Sequence, residues 1–243
     1  MNSNALFISF VLAALAPGAR AASSAEDPAA ELPATRTERL VEGWKVRVDD
    51  RLLAAPNEAL GRNALQLLQA ELADIASVVA TDRLEKLRAV PIVLDLNHGA
   101  LRIMQYHPSA EWLAAHGYAR ELARCVHIPV AAGFIDPRHH HEQPWCVLHE
   151  VAHAYHDQVL GFDEPRIHDA WEQFKASGHG EKVLHIRGHR TRHYALTDQK
   201  EFFAEMSEAY FGMNDFFPFN QAELKEAEPD LLALLKTIWG PTP

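Results

Sequence analysis

Cysteine is scarce: two residues in 243 exclude a disulfide-stapled scaffold and a four-thiolate zinc site, leaving at most one bridge in an oxidising compartment. Positive charge is in deficit. With 23 Lys and Arg against 33 Asp and Glu the formal charge is -10, which argues against a surface that tracks phosphates. Nucleic acid and anionic membranes are therefore not expected partners. Glycine (12) and proline (14) are too few for a collagenous or low-complexity chain, and 48% apolar with 23% charged residues is ordinary for a globular protein. Nothing reaches the ~18 consecutive apolar residues of a membrane-spanning helix, so no membrane insertion is expected. Histidine alone is in excess, and its 15 copies raise the question of a metal.

The N-terminus reads as an address label. Residues 5–16 form one apolar run, too short to span a bilayer, and Ala19 and Ala21 place small residues at the positions that determine cleavage. A signal peptide over 1–21 is predicted, giving a secreted or periplasmic protein. Residues 22–36, rich in Ala, Ser, Glu and Pro, have no periodic apolar face and are expected to form a flexible linker. One catalytic-type domain is expected over 37–243.

Within that domain, 44–48 alternates like a strand. Over 57–87 the residues Leu60, Ala64, Leu67, Leu68, Leu72, Ile75 and Val79 recur at helical spacing, with a break predicted near Thr81. Strands are expected at 91–96 and 123–130, with a short helix at 110–116. Helices follow at 144–160, 166–176, 198–210 and 229–239, and a hairpin at 183–194 turns near Gly188. Strands early and helices late make the class α+β: a small mixed sheet, an active-site helix and a second, Glu-bearing helix.

The segment Trp145 to His156 contains H-E-x-x-H as His149, Glu150 and His153. At ~100° per residue the two imidazoles project about 40° apart and one turn along, so both can reach one ion, with Glu150 beside them. A catalytic zinc usually takes three protein ligands and keeps a fourth position for water, so another donor is required. Glu201, Glu205 and Glu208 lie on the 198–210 helix, where one carboxylate could bind the ion while another accepts a hydrogen bond from a ligand imidazole. Asp198 with Glu201 also matches a capping box, in which Glu201 would fold back onto its own helix.

His149, Glu150 and His153, followed by Tyr194 seven residues before Glu201 and Glu205 four after it, resemble the active-site pattern of gluzincin metallopeptidases related to the anthrax lethal factor catalytic domain and the bacterial Pro-Pro endopeptidases. The resemblance covers about 143–212. It implies zinc held by His149, His153 and Glu201, with Glu150 as general base. Tyr194 would donate to the oxyanion, and Glu205 would support a ligand histidine. The expected activity is a zinc-dependent endopeptidase acting on a peptide or protein substrate. The alternative is a non-hydrolytic zinc- and peptide-binding protein on the same scaffold.

Other readings fit less well. A metzincin needs a third His where Val159 stands, and Cys125 lacks the surroundings of a deformylase ligand. Residues 139–141 are three histidines expected in a solvated loop, Asp157 is expected to be a solvated helix residue, and His156 to be a surface or supporting residue. His185, His189 and His193 are expected to be exposed on the hairpin. Residues 214–220 should pack under the two site helices, and an edge strand at 126–130 could pair with an extended peptide. Cys125 and Cys146 either pair or stay buried.

Overall fold

The structure, a computed structural model, describes residues 32–242. The expected signal peptide and most of the expected linker lie outside the described residues.

A five-stranded mixed sheet organises the first half of the chain. Strands β1 (Arg36–Val41) and β2 (Trp44–Asp49) form an antiparallel hairpin. Glu42 and Gly43, both at positive φ, make its two-residue turn, the backbone hand that matches the twist of flanking strands. A Cβ at Gly43 would also run into the Arg88 side chain. β1 begins at Arg36, inside the segment expected to be linker. Helices α1 (Glu58–Val78) and α2 (Thr81–Arg88) break at the predicted place and cross over to β3 (Ile92–Leu94), which pairs parallel with β2.

The chain then passes through β4 (Gln105–Tyr106) and α3 (Ala110–Ala115) to β5 (Val126–Ile128), parallel to β3. β4 pairs antiparallel with β5 and gives the strand order β1-β2-β3-β5-β4. This corrects one expectation. β5 is an interior strand and β4 is the edge, because Tyr106 pairs with Val126 and Gln105 with His127.

Two short helices, α4 (Ala131–Phe134) and α5 (Pro137–Glu142), lead to α6 (Cys146–Tyr155), and α7 (Pro165–Ser177) follows. The hairpin strands β6 (Val183–Leu184) and β7 (Arg190–Thr191) turn at Gly188, which has φ +81°. The last helices are α8 (Gln199–Phe211), α9 (Gln221–Ala227) and α10 (Pro229–Trp239). The architecture is α+β, with a five-stranded mixed sheet built early in the chain and the site helices α6 and α8 on either side of a small hairpin.

The sheet has two covered faces. Val46, Val48, Ile92, Leu94, Val126 and Ile128 point to the main core, which they share with α1, α6 and α8. Val93 and Cys125, on the other side of the pleat, pack with Leu113 and Leu122 beneath α3. The two cysteines therefore sit in different layers, and both are buried and free. Among the described residues no helix is long and apolar enough to cross a membrane.

Candidate metal centre

α6 lies against the β4–β5 edge and packs on α8. Its segment ends in a single π turn, His156–Leu160, closed by Gly161 at φ +84°. On the side facing α8, His149 Nε2 is 3.1 Å from His153 Nε2. Glu201 Oε2 lies 3.2 Å from the first and 3.4 Å from the second. These three side chains form a group that could hold a metal ion.

α8 supplies Glu201 because its N-terminus is capped by another residue. Asp198 accepts from the backbone N–H of Lys200 (2.8 Å) and of Glu201 (3.0 Å), satisfying the orphan donors of the first turn. The Glu201 carboxylate turns toward the histidines. Burial would raise its pKa, but the neighbouring His153 and His149 outweigh burial and hold the carboxyl well below the usual range. Burial would likewise lower the His149 pKa, yet the carboxylates of Glu201 and Glu208 raise it well above an ordinary imidazole.

Three carboxylates are buried along this helix, and they have different partners. Glu208 Oε1 is 2.6 Å from His149 Nδ1, so Glu208 holds the ring's other nitrogen. Glu205 stands 3.9 Å from the same atom, beyond hydrogen-bond reach. Its Oε2 has no hydrogen-bond partner among the described residues and lies 3.7 Å from His193 Nδ1. Of the two carboxylates, Glu208 and not Glu205 is within hydrogen-bond distance of His149. Seven residues sweep about 700° and four about 400°, so both carboxylates lie near the Glu201 face, and the packing of α8 on α6 decides which of them reaches His149. Burial first, then the charge of nearby Asp215 and Glu208, pushes the Glu205 pKa well above its ordinary value.

Glu150 is held by the sheet edge. The His107 backbone pairs with Cys125 and Arg124, so the Tyr106 N–H points outward, where it donates to Glu150 Oε2 at 2.6 Å. Burial raises the Glu150 pKa from its ordinary value, against the pull of the two histidines. The Tyr106 hydroxyl donates to Asp157 (2.5 Å) and accepts from Gln158 (3.0 Å), so Asp157 is engaged with the edge strand rather than solvated.

Tyr194 opens a 3-10 turn, Tyr194–Leu196, that runs into α8. Burial, followed by the charges of Glu201, Glu205 and Glu150, raises its phenol pKa and keeps it a hydrogen-bond donor. It lines a cleft of about 530 Å³ together with Met104, Val130, Phe134, Glu205 and Phe216. Arg102, Arg187 and Arg192 also line it. The loop 214–220 packs at the end of α8, as expected, with Asn214 donating to the Glu205 carbonyl oxygen at 2.8 Å.

Several histidines differ from expectation. His139, His140 and His141 lie on α5, and His140 Nδ1 pairs with Glu71 Oε1 at 2.7 Å, so this run is not a solvated loop. His156 is fully buried between Phe162 and Phe203, because it follows His153 by three residues on the side facing α8. His193 is buried, stacked on Phe216, while His189 remains exposed. The Tyr106 amide carried no signal in the sequence, since a backbone donor has no residue type. Glu208 did carry one, in its seven-residue spacing from Glu201.

No protein-family model, curated protein or solved structure matches this chain.

Proposed function

We propose that the protein is an exported zinc-dependent endopeptidase of gluzincin type that hydrolyses peptide bonds within an extended chain. The observation that carries this reading is the convergence of His149 Nε2, His153 Nε2 and Glu201 Oε2 at 3.1 to 3.4 Å. Zinc suits the donor set: two imidazoles and one carboxylate, with a carboxylate on the far nitrogen of His149, match the pattern of catalytic zinc sites. Zinc bound there would supply Lewis acidity and a water acidified toward a pKa of ~7.

The chain's own residues have complementary work. Glu150, anchored by the Tyr106 N–H and with a raised pKa, accepts a proton from the attacking water and passes it to the leaving amine. Tyr194, a persistent donor at the cleft, hydrogen-bonds the developing oxyanion. Neither residue has work to do in a purely structural site, which favours hydrolysis over passive binding. The leader predicted over 1–21 supports export.

The test compares the purified protein with Glu150→Ala and Glu201→Ala by elemental analysis and by cleavage of a mixed peptide library. The expected result is chelator-sensitive cleavage by the parent alone, equal zinc in the parent and Glu150→Ala, and one equivalent less in Glu201→Ala. Undiminished cleavage by Glu150→Ala would end this reading. Equal zinc in the parent and Glu150→Ala with no cleavage by either would put the non-hydrolytic zinc- and peptide-binding reading in its place.

A further inference from the structure

A second group of ligand-type side chains lies on the other face of the sheet, remote in sequence from α6 and α8. Asp95 follows β3 directly, His127 is the middle residue of β5, and His98 sits in the turn between β3 and β4. All three are essentially sealed from solvent, at 0%, 0% and 2% exposure. Asp95 Oδ2 is 2.9 Å from His127 Nε2 and 3.1 Å from His98 Nδ1. One donor atom from each lies within 4.8 Å of the others. The donor atoms of His149, His153 and Glu201 also lie within 4.8 Å of one another.

His98 distinguishes the cluster from an ordinary buried ion pair. Its Nδ1 is at contact distance from Asp95 Oδ2 but lacks the alignment of a hydrogen bond, and neither ring nitrogen has a partner among the described residues. A buried imidazole with both nitrogens unpaired is costly. Asp95 Oδ2 is hydrogen-bonded to His127 Nε2 at 2.9 Å, and His98 Nδ1 converges on the same oxygen from the other side without completing a hydrogen bond. Further contacts fix the orientation of the cluster's side chains. His127 Nδ1 is 3.2 Å from His107 Nε2, fixing the ring by its other nitrogen. Arg36 grips Asp95 with Nε on Oδ1 at 2.7 Å and Nη2 on Oδ2 at 2.8 Å.

We propose that Asp95, His98 and His127 form a second metal site, which takes one divalent ion of the zinc class in a structural role. Two imidazoles and a single carboxylate suit zinc or a neighbouring first-row ion and are too nitrogen-rich for calcium or magnesium. Burial bars substrate, so the ion serves the fold. It joins β3 to β5 and pins the turn that carries Arg102 and Met104 to the cleft and ends at Tyr106, whose amide holds Glu150. The proposal does not depend on the peptidase reading.

The experiment separates the two sites. In a His149→Ala/His153→Ala background the α6 site is removed, and zinc is measured after chelator treatment and reloading with zinc alone. One equivalent should remain, and adding His98→Ala should abolish it while circular dichroism shows a folded chain. No zinc in the double variant overturns the proposal. So does an equivalent that survives His98→Ala, which would place the ion elsewhere, for instance at Glu71, His140 and Cys146. Should the His98→Ala chain fail to fold, His98→Gln and the chelator response of the double variant decide. A fall in its Tm on chelation is expected, and an unchanged Tm refutes the site.

Discussion

The Nδ1 of His149 lies 2.6 Å from Oε1 of Glu208, while Nε2 of the same ring faces Glu201 at 3.2 Å. One imidazole thus bridges two carboxylates two turns apart on α8. A carboxylate on the far nitrogen fixes the ring and increases its basicity, and losing such a partner typically costs 10- to 100-fold in metal affinity. Glu208→Gln should therefore weaken zinc by about that factor, read by competition with a chromogenic chelator. Glu205→Gln should weaken it much less, since its carboxyl is 3.9 Å away. Equal losses in the two variants would show that both carboxyls support the ring.

Tyr194 should act on the rate and not on the metal. Tyr194→Phe removes one oxyanion donor, for which a loss of about 10² to 10³ in kcat is expected. Zinc content and KM should stay near those of the parent. Steady-state kinetics on the best library peptide would check this, and an unchanged kcat would leave Tyr194 as a packing residue of the cleft.

Gly212 ends α8 against the indole of Trp145, the residue just before α6, and a Cβ there would collide with the ring. Gly212 has φ -151°, outside the left-handed region, and the requirement is close approach to the indole. Gly212→Ala must push the two site helices apart. Overpacking of this kind costs about 1 to 3 kcal/mol, measurable as a lowered urea midpoint with an unchanged m value. An unshifted midpoint would mean that Trp145 yields freely.

Burial makes His156 a source of pH-dependent stability below about pH 6.5. Burial, assisted by His153 and Lys200, lowers its pKa to about 3 in the folded state, against about 6.5 for an exposed imidazole. Between those values the unfolded chain binds a proton that the folded chain refuses, so stability is full above pH ~6.5 and is lost as pH falls toward 3. The slope for one such group approaches about 1.4 kcal/mol per pH unit. His156→Phe, tested by urea titration at several pH values, should flatten the profile between pH 4 and 6 relative to the parent. A parallel profile would assign the acid sensitivity to other buried histidines such as His193, lowered to about 3 by burial.

The one-dimensional sequence already determined whatever depends on neighbours along one element. His149 and His153 share a face because a helix repeats every 3.6 residues, and no packing detail enters that relation. The break before Thr81, the turn at Gly188 and the helix limits at Pro229 and Trp239 were legible for the same reason, being local chemistry of caps, turns and periodicity. Short pieces were not. The two-residue strand β4 and the helix through the His139 run have too few residues to show a period, and β1, whose burial pattern is largely exposed, shows no alternation.

Tertiary structure alone decided the relations between elements. A helix sequence shows which residues share a face but not how that face is rotated against its neighbour, so Glu208 rather than Glu205 met His149 only once α6 and α8 were packed. The Tyr106 amide on Glu150 arose because pairing with β5 turned that N–H outward, and pairing is a long-range choice. Asp95, His98 and His127 came together because β3 and β5 are adjacent parallel strands although 31 residues separate Leu94 from Val126 in the chain. Hydrophobic burial sets which strands become neighbours, and these polar groups are carried to each other by the packing of the apolar ones beside them.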